Sequence, residues 1–108
     1  MNEATTPQYV PHLLHIINQT FDIERKAAQQ TAILRHVERI KSTFDALGYR
    51  IHNPTGEAYR LTRTDCEASM VGNMNNLDNL VITDVIKPIV HVNGVIVQKG
   101  VVIVESKN

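Results

Sequence analysis

The stretch TRTDCE, Thr62–Glu67, sets a thiol between two carboxylates, with an arginine close by. A nucleophilic cysteine needs its thiolate, and a thiolate forms in positive surroundings. Asp65 and Glu67 work against that, so Cys66 reads as a buried strand residue. As the chain's single cysteine it also leaves no internal disulfide framework. The five histidines pose the metal question. His12 and His15 share a helix face at i, i+3. No carboxylate or cysteine joins them at ligand spacing, and His36, His52 and His91 are scattered. They read as surface histidines, with no metal site. Arg63, Asp65 and Glu67 either form a rim that faces a partner or lie in a solvated loop, and the residues alone leave both open. The chain has no GxGxxG, GxxxxGK, GxSxG or HExxH pattern. Nothing in it points to an enzyme or calls for a cofactor.

The global balance excludes other classes. Lys plus Arg and Asp plus Glu each number 11 in 108 residues, so no net field draws the chain to nucleic acid or membrane. Arg25, Lys26, Arg35, Arg39 and Lys41 are interleaved with acids, as on a solvated helix face. No apolar run approaches the roughly 20 residues of a membrane span. Glu3 precedes any basic residue, and no apolar run suits a signal peptide. A reducing, cytoplasmic setting is the expectation.

These residues must be carried by two kinds of element. Met1–Thr6 is small and polar, and Thr5–Pro7 could open a helix, or Pro11 could sit in a first turn. From His12 to Leu47 there is neither Gly nor Pro. Val10, Leu14, Ile17 and Phe21 form one helical stripe. Ile33, Val37, Ile40, Phe44 and Leu47 form a second, heptad-like one, out of phase with the first. Either one long helix of roughly 50 Å carries both, or two helices break near Asn18–Asp22. The second stripe predicts a homodimer seam, and Gly48 predicts the C-cap.

Beyond Gly48 the period turns strand-like. A turn at residues 53–56 would use Pro54 at i+1 and Gly56 at i+3. EAYRL, CEASMV and LVITDVI read as strands, with a loop over Gly72–Asn79. Lys87-Pro88 interrupts pairing. Asn93-Gly94 between β-branched runs predicts a type I′ hairpin, and Gly100 a bend or bulge before the last strand. The last runs are apolar on both faces, so a small barrel or two crossed sheets should cover them.

A dimer-like helix followed by a compact β domain resembles GrpE, the nucleotide exchange factor of DnaK-type chaperones. The likeness spans Ala46 to Lys107. LGYRIHNPTGEAY is similar to the segment where the family's helix ends and its β domain begins. CEASMV resembles its His-Glu-Ala segment, matching at Glu67 and Ala68. NGVIVQKGVVIVESK aligns with its closing hairpin and last strand. Cys66 stands for the family's His, Pro88-Ile89 for a Gly-aromatic pair, and Val95 for an Arg that contacts the chaperone; the arm is also shorter.

The resemblance implies an α+β fold: a helical dimerisation arm over 1–48, closed by Ile33, Val37, Ile40, Phe44 and Leu47, then a β domain over 49–108. It also implies a partner surface of Arg63, Asp65, Glu67, Asn93, Val95 and Val104 that opens the nucleotide cleft of a DnaK-type chaperone. The alternative is a dimeric protein-binding adaptor on the same scaffold, without exchange activity.

Overall fold

The computed structural model describes residues 10–72, 77 and 79–107. Thr5–Pro7 and Met1–Thr6 lie outside the described residues, as does most of the expected loop after Gly72. The chain is mixed α+β: two helices, then a β-rich domain of two sheets. It divides into two compact units, one up to Ser42 and one from Thr43. No helix among the described residues is long and apolar enough to cross a membrane.

Helix α1 spans Val10–Ala27 and α2 spans Thr31–Ala46. Pro11 sits in the first turn of α1, where its missing N–H is no loss. Two helices form rather than one, but the break is at Ala28–Gln30, not at Asn18–Asp22, which is helical throughout. Ala28 takes a left-handed φ of 49° and the Gln30 N–H donates to the Ala27 carbonyl, while Leu34 N–H already donates back to Gln30. The usual left-handed residue is Gly or Asn, so an alanine there is silent in the sequence. Lys41 Nζ bonds Glu24 at 3.1 Å and ties α2 to α1.

The last turn of α2 groups with the β domain, because Phe44 packs edge-on against Tyr49, ring centroids 5.9 Å apart. Gly48, at φ 90°, ends the helix, and its N–H donates to the Asp45 carbonyl.

One sheet orders its strands β1-β5-β6, from Tyr49–His52, Ile89–Val92 and Val95–Gln98, all antiparallel. The other orders β2-β4-β7-β3, from Ala58–Tyr59, Leu80–Lys87, Gly100–Ser106 and Cys66–Val71. The last strand, β7, is inserted between β4 and β3 and runs parallel to β3. The strand expected from EAYRL shrinks to Ala58–Tyr59, because Arg60–Arg63 closes a turn.

The chain changes sheet three times, between β1 and β2, at Pro88 and at Lys99. Pro88 has no N–H to extend a ladder, and it is buried, its carbonyl accepting from Gln98 Nε2 at 2.9 Å. Gly100 opens β7 under tight cover. A Cβ there would lie 2.9 Å from Ile89 Cγ1 and 3.2 Å from Cys66 Sγ. Close approach therefore explains this glycine.

The turn after β1 is shifted by one residue from its expected register. Glu57 N–H donates to the Pro54 carbonyl, so Gly56, at φ 88°, occupies i+2, the position of a type II turn that needs positive φ. Asn93 and Gly94 both have positive φ, 52° and 83°, as a type I′ hairpin requires.

Ile82, Val85, Val102 and Val104 of one sheet and Ile89 and Val90 of the other are essentially inaccessible. The consecutive Ile89 and Val90 point to opposite faces of β5, so that strand is covered on both sides. Strand β6 is not. It is an edge, and Val95 and Ile96 are exposed.

Candidate functional site

The polar segment before β3 is folded inward on itself. Arg63 Nε donates to Asp65 Oδ1 at 2.6 Å, its Nη2 to Glu57 Oε1 at 2.7 Å, and its Nη1 to the Ala58 carbonyl at 3.0 Å. Glu57 in turn lies 2.6 Å from His52 Nε2 through its other oxygen. A guanidinium fork suits such multiple acceptance. The result is a clamp that joins the end of β1, the turn at Pro54–Glu57 and the approach to β3.

The hydrogen bond from Arg63 holds the Asp65 carboxyl below the usual range. For Glu57, burial pushes upward, but the bonds from Arg63 and His52 together outweigh it and lower the carboxyl. Both acids are therefore carboxylates engaged within the chain. Burial pushes the Cys66 thiol up to about 11, and the Asp65 carboxylate adds to it. Cys66 opens β3 with its side chain buried, and such a thiol is inert. Among the described residues no group of three or more His, Cys, Asp or Glu could hold a metal.

The residues expected to meet a partner thus separate. Arg63 and Asp65 pair with each other. Glu67, Asn93 and Val95 are exposed, Val95 at 63 %. Glu67 lies on β3, while Asn93 and Val95 flank the Gly94 turn in the other sheet. Val104 is corrected outright: at 0 % exposure in the middle of β7 it belongs to the core. Alternation along β7 buries Val102 and Val104 together, so no face of Val104 is offered to another protein.

The expected dimer seam also divides. Val37 and Phe44, seven residues apart, are buried, Val37 at 2 % exposure. Ile33, Ile40 and Leu47, again seven apart, are exposed, Ile40 at 38 %. What reads as one stripe is two rows, one turned into the chain and one outward. Helix α1 adds Ile16 and Ile23, also seven apart and exposed, which the stripe on Ile17 and Phe21 passes over. Ile23 and Ile33 line one groove of about 410 Å³ between the helices. Isoleucine recurrence at i, i+7 was the signal that could have found the α1 row. Nothing local could have found Glu57 and His52, whose roles come from the turn between them.

The chain matches no family model, no curated protein and no solved structure.

Proposed function

We propose that the protein is a homodimeric protein-binding module of the cytoplasm, paired through its helices and meeting its partner through the β domain. The observation that carries this is the outward row on each helix, Ile16 and Ile23 on α1 and Ile33 and Ile40 on α2, continued by Leu47 just past its end. A seven-residue recurrence of large aliphatic side chains is the period of helix-to-helix packing between chains. Full burial of such a side chain contributes roughly 1.5–3 kcal/mol, so these half-exposed ones contribute about 1 kcal/mol each. Across a two-fold interface, where both copies supply the same patch, that is about 10 kcal/mol. Association itself costs roughly 4–15 kcal/mol, so the dimer depends on concentration. Light scattering at micromolar protein should give twice the chain mass, and Ile40→Asp should give the single mass with the helical signal retained. A wild-type monomer would remove this reading.

A second reading makes the partner a DnaK-type chaperone and the module a GrpE-like exchange factor. What favours it is the hairpin: the Asn93–Gly94 turn presents Val95, which stands where the family's contacting Arg is found, as an exposed residue. Exchange would need no catalytic group, only tighter binding to the open nucleotide cleft. A missing charge-assisted bond weakens contact by roughly 1.5–3 kcal/mol, about ten- to a hundredfold. Stopped-flow release of a fluorescent ADP analogue from a DnaK protein should be accelerated weakly by the wild type and more by Val95→Arg. If neither changes the rate, the adaptor reading stands alone.

A further inference from the structure

The strands at the edges of the two sheets are not alike. β2 has 2 residues, and β1 and β6 have 4 each. β3 has 6, with neither Pro nor Lys, and it pairs with β7 in an unbroken register. The β4–β7 and β5–β6 pairings both carry register shifts. Natural edges are blunted by shortness, by Lys or Pro, or by bulges, and β3 has none of these. Gly100 N–H donates to the Asp65 carbonyl, and Cys66 lies opposite Gly100. In a parallel ladder that turns the N–H and C=O of Glu67, Ser69 and Val71 toward β7, and those of Cys66, Ala68 and Met70 outward. No strand or turn among the described residues meets this outward set. The side chains are uncovered as well: Glu67, Ser69, Met70 and Val71 are all exposed.

We propose that β3 pairs antiparallel with β3 of a second copy of the chain, so that two four-stranded sheets become one. The strand's own sequence chooses the register. Only outward residues can bond to outward residues, and the fullest match sets Ala68 against Ala68 on a two-fold axis, with Cys66 against Met70 on either side. Each such pair exchanges both of its backbone bonds. Glu67 then lies across from Ser69 of the second copy, whose hydroxyl donates to the carboxylate. The neighbouring register in one direction sets Glu67 against Glu67, and like charges directly opposite repel. The neighbouring register in the other direction loses the Cys66–Met70 pairs. A foreign strand would meet the same backbone, but β3 complements itself in side chains too. The contact joins only short strands, below the roughly 1,000 Å² of a stable interface. It therefore forms at high concentration, with a Kd of about 0.1–1 mM. It goes beyond the helix pairing and does not depend on it; where both contacts form, dimers join into larger assemblies.

Amide hydrogen exchange of the full chain, followed by NMR at about 50 µM and about 1 mM, tests it. Ile40→Asp is the background, so that helix pairing does not contribute; if that variant precipitates, the wild type serves, because helix pairing protects no alternating set on β3. The amides of Cys66, Ala68 and Met70 should be unprotected in dilute solution and slow about threefold at the higher concentration. Those of Glu67, Ser69 and Val71 should be protected even when dilute. Ser69 is exposed, and Ser69→Lys sets a cation across from Glu67 on both sides of the axis. It should tighten association roughly two- to thirtyfold, and Ser69→Glu should weaken it by a similar factor. Ala68→Pro removes the N–H on the axis, which β7 does not use, and should abolish association with the fold retained. Outward amides that gain no protection by about 1 mM would overturn the proposal. So would shifts in the same direction from Ser69→Lys and Ser69→Glu, or association that survives in Ala68→Pro. Failure of the helix reading shows instead as a wild-type monomer at micromolar concentration, which leaves this test unchanged.

Discussion

The helical unit and the β domain dispose of their aliphatic residues in opposite ways. In the β domain a set of aliphatic side chains is turned inward from both sheets, and Ile82, Ile89, Val90 and Val104 are wholly enclosed. Its exposed apolar residues include Val95 and Ile96 on the edge strand β6 and Met70 and Val71 at the end of the edge strand β3. In the helices, inward and outward rows run side by side on the same element, Val37 and Phe44 against Ile33 and Ile40 on α2. The difference teaches that the two sheets close over a core of their own, whereas each helix leaves one aliphatic row uncovered. Two sheets can close over one another, whereas two short helices bury only a stripe each.

Val104→Asp should break the comparison most severely. An unpaired carboxylate in that core has no partner and no water, so the β domain should lose its cooperative thermal transition. A folded Val104→Asp variant that only bound partners less well would return Val104 to the surface and overturn the core assignment. In the helices, Val37→Ala should cost about 2 kcal/mol from lost burial and the cavity left. Ile40→Ala should cost under about 1 kcal/mol in the monomer. Urea unfolding below the dimerisation range measures both, and equal losses would mean that the two rows are not distinct.

Smaller effects sharpen the picture. Ala28 holds a left-handed conformation that disfavours a Cβ by roughly 1–2 kcal/mol, partly offset by the flexibility of an unfolded glycine. Ala28→Gly should therefore raise stability by up to about 1 kcal/mol, seen as a higher melting temperature. A decrease would show that the break between α1 and α2 lies elsewhere.

The smallest effect is the pH dependence of the clamp. Glu57 and Asp65 both have carboxyls lowered in the folded state. Their stabilisation is therefore present above the unfolded carboxylate range and is lost as pH falls through the folded values. Both are partly exposed, so screening keeps the sum under about 1 kcal/mol. Arg63→Gln should be less stable than wild type at neutral pH, and the gap should close on acidification. A gap that stays constant with pH would mean that the clamp acts through packing alone.

Much of the fold was legible in short stretches. Gly48 ends α2, Asn93-Gly94 makes the hairpin turn, and Pro88 and Gly100 mark where pairing is interrupted. The first three depend on the backbone preferences of one or two residues, which travel with the sequence, whereas Gly100 is required by the close approach of Ile89 and Cys66. The turn at Gly56 was read one residue out of register, because glycine suits both i+2 and i+3 and only the Glu57-to-Pro54 bond decides between them. The clamp was half legible. Arg63 and Asp65 are neighbours, but Glu57 and His52 reach them only through the turn.

The sequence by itself determined that a helical half with apolar rows precedes a β half with several aliphatic strands, because periodicity is a local property. Tertiary structure alone decided which of those strands became an edge and which the centre. Val95 and Val104 are the same residue type in similar β-branched runs. Val95 lies on the edge strand β6 on a face that nothing among the described residues covers, and Val104 lies in β7, between β4 and β3, on the face turned into the core. The same holds for Val37 and Ile40 on α2, where the direction of the core chooses between two rows of equal period. Burial is a sum over contacts made by residues far apart in the chain, and no local preference contains it.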